Sequence, residues 1–311
     1  MKRFGMKILG NISSNLIKFK LIPPPLMKEN KISVTIRVKN EGEWIGYCLS
    51  SFKDFADEII ISDRGSTDNS IEIIKDFMEN HPDKQIKFFD RKEDSYLEIS
   101  NFEIKQTRYR WIMRVDADQV AQTSGKYNIM KLKKRILQLT PNYYYAIYLN
   151  HVNLFLDFFH LNKIYQRHRE IWLYNYSPDV VCIRKGRYSD VFWVPIYYKY
   201  LDLTEPFIYH VNLRTKMRLL ERIYWTDWFL KEMNISLEEY IAKRIKEDFL
   251  TDSLEEAADI NLREQFKYVE PFDASLYGGY PEVLEALIDN PPYKIIYDEN
   301  GKVKTRIEPE I

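Results

Sequence analysis

Two aspartates one residue apart, Asp116 and Asp118, follow a hydrophobic run, Trp111 to Val115 (WIMRV). Side chains two positions apart in an extended backbone project to the same side, so this pair can share a magnesium or manganese ion through hard oxygen ligands. Such an ion would neutralise a leaving diphosphate. A D-x-D triplet is weak alone, since a chain of this size carries about one by chance. Here it is the only one, and it falls at the end of a strand-like run. Asp63 ends another such run, Glu58 to Ser62 (EIIIS), where a carboxylate can accept a hydrogen bond from a base N–H or a ribose hydroxyl, and Gly65 allows a tight turn behind it. The plain alternatives are solvated loop aspartates at 116 and 118, and a turn aspartate at 63.

These residues need a frame that gathers strand ends. Ile32 to Val38 (ISVTIRV) has the β-branched, apolar character of a parallel strand covered on both faces. Trp44, Ile45, Cys48, Leu49 and Phe52 repeat at helical spacing. Ser66, Thr67, Asp68 and Asn69 offer N-cap chemistry to a helix burying Ile71, Ile74, Phe77 and Met78. A strand over 85–89, a helix around 102–106 and the strand 111–115 complete a βαβαβαβ pattern. Right-handed crossovers would place the strands in one parallel sheet, with Asn40, Glu41, Asp63, Asp116 and Asp118 beyond their carboxyl ends. Further along, a helix is expected near Ile129 to Leu139, strands at 143–149, 180–183 and 207–211, and a long helix carrying Met217, Leu220, Tyr224 and Trp228. The tail reads as helical and charged, closing in a hairpin at Asn300–Gly301.

Composition narrows the function classes. The 311 residues carry 46 Lys plus Arg and 46 Asp plus Glu, so neither a global basic field for nucleic acid nor an acidic tail is present. Two cysteines, Cys48 and Cys182, lack the spacing of a disulfide framework or zinc ribbon and suit a reducing, cytoplasmic compartment. No stretch is apolar for the length a bilayer requires. The first 30 residues are biased, with Lys2, Arg3, Lys7, Lys18 and Lys20 among apolar residues, and could touch an anionic membrane surface or pack on their own domain. Pro23, Pro24 and Pro25 read as a stiff connector. The expected division is a basic N-terminal segment 1–30, an α/β domain 31–213 that holds the strand-end carboxylates, and a mainly helical extension 214–311. The turn after Val38, KNEGEW, has no G-x-G-x-x-G and the chain no G-x-x-x-x-G-K, which removes the dinucleotide oxidoreductase and P-loop readings.

Three segments in order, ISVTIRVKNEGEWIGYCLSSF, ADEIIISDRGSTDNSIEII and RYRWIMRVDADQV, resemble the signatures of family 2 glycosyltransferases of the GT-A fold. The resemblance covers about residues 31–120. It implies a Rossmann-like, mostly parallel sheet flanked by helices, a nucleotide-diphosphate sugar donor, UDP- or GDP-linked, Mn2+ or Mg2+ as cofactor, and inversion at the transferred carbon. By the same resemblance Arg37, Val38, Lys39 and Glu41 line the nucleoside pocket. Asp63 binds the base, Asn101 lies on the donor side, Asp116 with Ala117 contacts the ribose or metal, and Asp118 holds the metal. His210 matches a histidine that faces the metal in some relatives.

The chain departs from the family where Arg37, Val38, Lys39, Asn40 and Glu41 stand in place of Pro-x-Tyr-Asn-Glu, where Arg64 replaces a second aspartate, and where Glu103 replaces a glycine. Gln166 and Arg169 give half of the Gln-x-x-Arg-Trp motif of processive members, which points to single-sugar transfer. An inverting transfer needs a carboxylate to take the acceptor's proton. Because VCIRKGRYSDVFW resembles an acceptor-side segment of surface-polysaccharide transferases, Asp190 is the expected base, with Asp179 next. Trp172, Tyr174, Tyr176 and Trp193 either stack on an acceptor sugar or form core. The acceptor, a glycan, a lipid-linked glycan or a protein, stays open, as does a binding or scaffolding protein that has kept the fold without catalysis.

Overall fold

The structure is a computed structural model that describes residues 28–92, 94–164, 170–184, 190–230 and 234–309, together with residues 19, 21 and 25. Most of the basic segment 1–30, and Gln166 with Arg169, lie outside the described residues. The chain divides into two compact units, each discontinuous in sequence. The first comprises 1–152, 167–210 and 274–285, and the second 153–166, 211–273 and 286–311.

In the first unit the expected alternation is present. Strands β1 (Ile32–Val38), β2 (Glu58–Asp63), β3 (Ile86–Asp90) and β4 (Trp111–Asp116) alternate with helices α1 (Ile45–Phe52), α2 (Ser70–Asn80) and α3 (Tyr96–Gln106). The strands pair in parallel in the order β3-β2-β1-β4. β1 lies between two neighbours, and every residue in it but Arg37 is buried, Ser33 and Thr35 included, as a central strand covered on both faces requires. Register then fixes the site: Arg37 lies opposite Asp116 on β4, and Val38 opposite Asp63 on β2. α3 begins earlier than its apolar spacing suggested, because a capping box forms between Ser95 and Glu98.

Beyond β4 the sheet continues antiparallel, through β8 (Glu170–Asn175) and the part of β6 (Tyr145–Phe155) that lies in this unit. A short strand, β5 (Gln119–Ala121), follows the Asp-Ala-Asp turn and pairs with β11 (Lys199–Asn212). The strands expected at 143–149 and 207–211 are longer than their apolar centres indicated. One core, including Val34, Ile36, Leu49, Phe52, Ile74 and Trp111, packs on α1, α2 and α4 (Ile129–Leu137). A second, with Ile104, Ile112, Tyr144, Tyr174 and Tyr198, packs on α3 and on β9 (Val181–Arg184), whose antiparallel partner is β10 (Asp190–Trp193).

The second unit holds β7 (Asp157–Asn162), paired with the last residues of β6 and with β12 (Val269–Pro271). Helices α5 (Lys216–Leu230), α6 (Leu237–Phe249) and α7 (Leu254–Gln265) share a core of Leu220, Tyr224, Tyr240, Ile245, Ala257 and Ala258. The expected hairpin joins β13 (Lys294–Tyr297) to β14 (Val303–Ile307), with Gly301 at φ +71°. Asp157 pins it by accepting from the Ile295 amide at 2.8 Å while its other oxygen meets His160 Nδ1 at 2.6 Å.

Candidate functional site

Three turns meet at the carboxyl edge of the parallel strands. The turn after β1 is locked to the loop after β2 by side chains on one and backbone on the other. Asn40, at φ +51°, accepts from the Thr67 amide at 2.7 Å, the Asn40 and Glu41 amides donate to the Ser66 and Ser70 hydroxyls at 2.8 Å each, and the Gly42 amide donates to Asp68 at 2.9 Å. A Cβ at Gly42 would meet Asn69 Oδ1 at 1.8 Å, so the exposed Asn69 side chain would have to turn aside to admit one. Lys39 donates its ammonium to the Gly65 carbonyl.

Asp63 is 1% exposed, and its carboxylate is engaged by its own loop. It accepts from the Gly65 and Ser66 amides at 2.7 and 2.9 Å and from the Ser66 hydroxyl at 2.5 Å. Gly65 turns at φ +74°, in the left-handed region. Capping of α2 falls to Asp68, which accepts from the Ser70 amide at 3.0 Å.

The Asp-Ala-Asp turn is held by distant residues instead. Asp116 Oδ1 accepts from Arg37 at 3.0 Å, and the same guanidinium reaches the Ser100 hydroxyl on α3 at 3.1 Å. Burial pushes the Asp116 carboxyl up, but Arg37 and then Arg114 outweigh it and hold the group below the usual carboxylate value, so it is anionic. Asp118 is 2% exposed and its Oδ2 lies 3.1 Å from His210 Nε2. The β5–β11 register produces this contact by setting His210 opposite Gln119. Ala117 is buried in the core between the two carboxylates.

Gln119 accepts from the Asp116 amide at 3.2 Å and its amide nitrogen lies 3.3 Å from His151 Nδ1. Burial, and next the neighbouring His210, drive the His151 imidazole down to about 3, so it is neutral. Arg114, 3% exposed, binds Glu170 at 2.8 Å and stacks 4.3 Å from the Trp172 ring centroid. Sequence reading singled out neither His151, Gln119 nor Arg114. His151 and Gln119 lack a motif, and Arg114 sits within an apolar strand.

The remaining expected residues are distributed more widely. The Val38 side chain is fully buried in the core, so only its backbone faces the edge, where its carbonyl accepts from the Arg64 amide at 2.9 Å. The Asn101 amide is taken up by β9, donating to the Cys182 carbonyl at 3.0 Å and accepting from its amide at 2.8 Å. Asp190 begins β10 with its backbone opposite Arg184. Asp179 accepts from the Tyr197 hydroxyl at 2.6 Å. Trp172 and Tyr174 are buried, whereas Trp193 is 48% exposed. Among the described residues, no group of three or more His, Cys, Asp or Glu side chains is arranged as a ready-made metal site. Asp118 stands beside His210, and Asp116 is turned to Arg37.

The parallel βαβ frame with carboxylates at its strand ends defines an α/β unit of the GT-A type, and the comparisons identify the family. The profile of glycosyl transferase family 2 matches residues 33–193, about half of the chain. The chain belongs to that family. The SPbeta prophage-derived glycosyltransferase SunS of Bacillus subtilis is 39% identical over 105 residues, 33% of this chain and 24% of that protein. Poly-beta-1,6-N-acetyl-D-glucosamine synthase of Staphylococcus epidermidis is 32% identical over 134 residues, 40% of this chain and 32% of that protein. The matched stretches thus span only about a quarter to a third of these relatives. Among solved structures, S. aureus TarS 1-349 in complex with UDP-GlcNAc aligns with a TM-score of 0.43 at 14% identity, covering 77% of this chain and 82% of that one. The mannosyltransferase PcManGT from Pyrobaculum calidifontis, in complex with GDP-Man and Mn2+, aligns at 0.44 and 12% identity, covering 92% and 87%.

Proposed function

We propose that this protein is a metal-assisted, inverting glycosyltransferase that moves a single sugar from a UDP- or GDP-linked donor to an acceptor hydroxyl, in the synthesis of a surface polysaccharide or other glycoconjugate. The observation that carries the reading is the convergence of Asp116, Asp118 and His210 on the edge where β1, β2 and β4 end, in a chain of this family. The polysaccharide option draws support from the name of one relative, a poly-N-acetylglucosamine synthase.

The residues fit a divalent ion. Asp118 and His210 offer an oxygen and a nitrogen 3.1 Å apart, and magnesium or manganese commonly takes one or two protein carboxylates and completes its shell with substrate phosphates. Asp118, His210 and Asp116 would hold the ion, which would offset the charge of the leaving diphosphate. Arg37 fixes the orientation of Asp116, and the turn of residues 39–42, locked to the Asp63 loop, forms the wall for the nucleoside. In the transfer, a carboxylate, for which Asp190 is the proposal, takes the acceptor's proton. The acceptor oxygen bonds to the sugar carbon while the carbon–oxygen bond to the diphosphate breaks on the opposite face.

One observation favours a second reading. The Arg37–Asp116 ion pair occupies a carboxylate that catalysis would need, as suits a scaffolding protein that binds without turnover. Calorimetry and thermal shift with UDP, GDP and their sugars, with and without manganese, on the wild type and Asp116→Ala/Asp118→Ala, test the proposal. Metal-dependent binding of one nucleotide, lost in the double variant and accompanied by slow donor hydrolysis, is expected. Binding without any hydrolysis or transfer supports the scaffold, and no binding of any nucleotide overturns the transferase.

A further inference from the structure

Asp63 and its neighbour Arg64 stand at the end of β2 but face opposite sides of the sheet. Side chains alternate along an extended chain, and the Arg64 amide still donates to the Val38 carbonyl at 2.9 Å, so the ladder runs through both residues. Register sets Ser62 beside Arg37 and Arg37 beside Asp116. Arg64 therefore shares the face of Arg37 and Asp116, and Asp63 takes the other. The side chains agree with the register. Tyr96, the first residue of α3, links the two arginines, whose guanidinium carbons each lie 5.0 Å from its ring centroid. Asp116, Arg37, Tyr96 and Arg64 thus form a row along the carboxyl edge from β4 to β2.

The two ends of this row suit different parts of one ligand. The β4 end carries the carboxylates that would meet metal and diphosphate. β2 lies two strands away, roughly 10 Å at the usual spacing of strands, about the reach of a ribose between a diphosphate and its base. A base would therefore fall beside Arg64. The half-buried guanidinium is held there by the Asp94 carbonyl, which accepts from Nε at 2.5 Å, and by Tyr96. That fixes the plane of the fork and turns its terminal nitrogens into the groups that would meet a ligand. A guanidinium only donates, and two parallel N–H groups match two acceptors side by side. Guanine offers that pair in O6 and N7, whereas adenine sets an amino donor beside N7. Uracil sets N3–H beside O4, and that donor needs an acceptor. The carboxylates nearby are engaged: Asp63 by Gly65 and Ser66, Asp94 by Arg91, and Glu98 by Ser95.

We infer that the donor is a guanosine-diphosphate sugar and that Arg64 selects it, by donating two hydrogen bonds to O6 and N7 of the guanine. The inference rests on the transferase reading above and narrows its donor from two nucleotides to one.

Calorimetry of the full chain in manganese with GDP, inosine diphosphate, 7-deaza-GDP and UDP tests this. GDP and inosine diphosphate share O6 and N7 and should bind alike. Both should bind about tenfold or more tightly than UDP and than 7-deaza-GDP, which lacks the N7 acceptor. Arg64→Ala should bring GDP down to the level of UDP and leave UDP unchanged. Arg64→Lys, which keeps the charge without the fork, should do the same. Both variants are first matched to the wild type in thermal midpoint, and the analogue series on the wild type carries the test if neither folds. UDP or 7-deaza-GDP binding as tightly as GDP, or a preference for GDP that survives Arg64→Ala, would overturn the inference and leave the transferase reading standing. Equal loss of GDP and UDP in Arg64→Ala would overturn it by making Arg64 a support of the loop. No binding of any nucleotide would overturn both.

Discussion

Asp63 and Asp116 end strands on either side of β1, two positions apart in the same sheet, yet they are held in opposite ways. The Asp63 carboxylate is satisfied within three residues of itself, by two amides and a hydroxyl of its own loop. Asp116 depends on Arg37, 79 residues away in sequence, and Asp118 on His210, 92 residues away. A locally satisfied carboxylate shapes a wall and has little capacity left for a ligand. One held by single contacts from distant cationic or imidazole side chains can exchange them for a metal or a diphosphate. The comparison predicts that Asp63 acts through stability and that the Asp116–Asp118 turn acts through ligand.

The largest effect is expected at Asp118. Asp118→Asn keeps the shape and a hydrogen-bond acceptor for His210 but removes the charge. Donor hydrolysis or transfer should fall by ~10²–10³-fold while the melting midpoint moves little, because loss of a metal ligand acts on the leaving-group charge. Steady-state rates across a manganese titration read this directly. A drop in midpoint as large as the drop in rate would mean that Asp118 is structural, and the contrast with Asp63 would fail.

Next in size is Asp63→Ala, which removes the acceptor of three hydrogen bonds in a buried loop. A loss of about 3 kcal/mol in unfolding free energy is expected, read by urea denaturation. Nucleotide affinity should weaken only in step with the loosened loop. If the midpoint holds and nucleotide binding vanishes, Asp63 is a base-binding group after all, and its hydrogen bonds to Gly65 and Ser66 exchange for the base.

What the sequence disclosed follows the same division between local and distant. The β1, β2 and β4 runs, the helix spacing of Trp44 to Phe52 and the Asn300–Gly301 turn are local signals, and each appears where its periodicity or turn chemistry placed it. Asp116 and Asp118 were legible for the same reason, as strand-end residues of a short motif. The partners that decide their state were less so. Arg37 could be seen as a departure, but not its pairing with Asp116, which depends on the β1–β4 register. Gln119 and His151 meet only because β6 and β11 fold back toward the turn. Residues 274–285 rejoin the first unit although the chain has already passed through the helices of the second. The contacts that hold them there, Gln122 and Tyr209 donating to the Tyr277 and Gly279 carbonyls at 2.9 and 2.7 Å, leave no trace in composition or spacing.

The finest probe of the comparison, read as a slope with pH rather than as a loss at one pH, lies at Glu103. This residue stands where the family has a glycine and is 1% exposed on α3, beside Arg37, Ser62 and Thr35. Burial pushes its carboxyl up to about 8, against the pull of Arg37, so at neutral pH it is mostly the neutral acid. Its ordinary value is 4.5, so between 4.5 and about 8 the folded protein binds a proton that the unfolded chain has released. Stability from this group is complete below the lower value and is lost as pH rises through the upper one, by up to about 5 kcal/mol in total. Glu103→Gln imitates the neutral acid and should flatten that slope. Its melting midpoint should match the wild type near pH 5 and exceed it by several degrees at pH 9, a shift of the size a few kcal/mol produces. Because an ionised Glu103 would compete with Asp116 for Arg37, the wild type should also show an alkaline limb in donor binding that the glutamine variant lacks. Identical pH profiles for the two would mean that Glu103 is already ionised and paired with Arg37, making Asp116 the less firmly held of the two carboxylates.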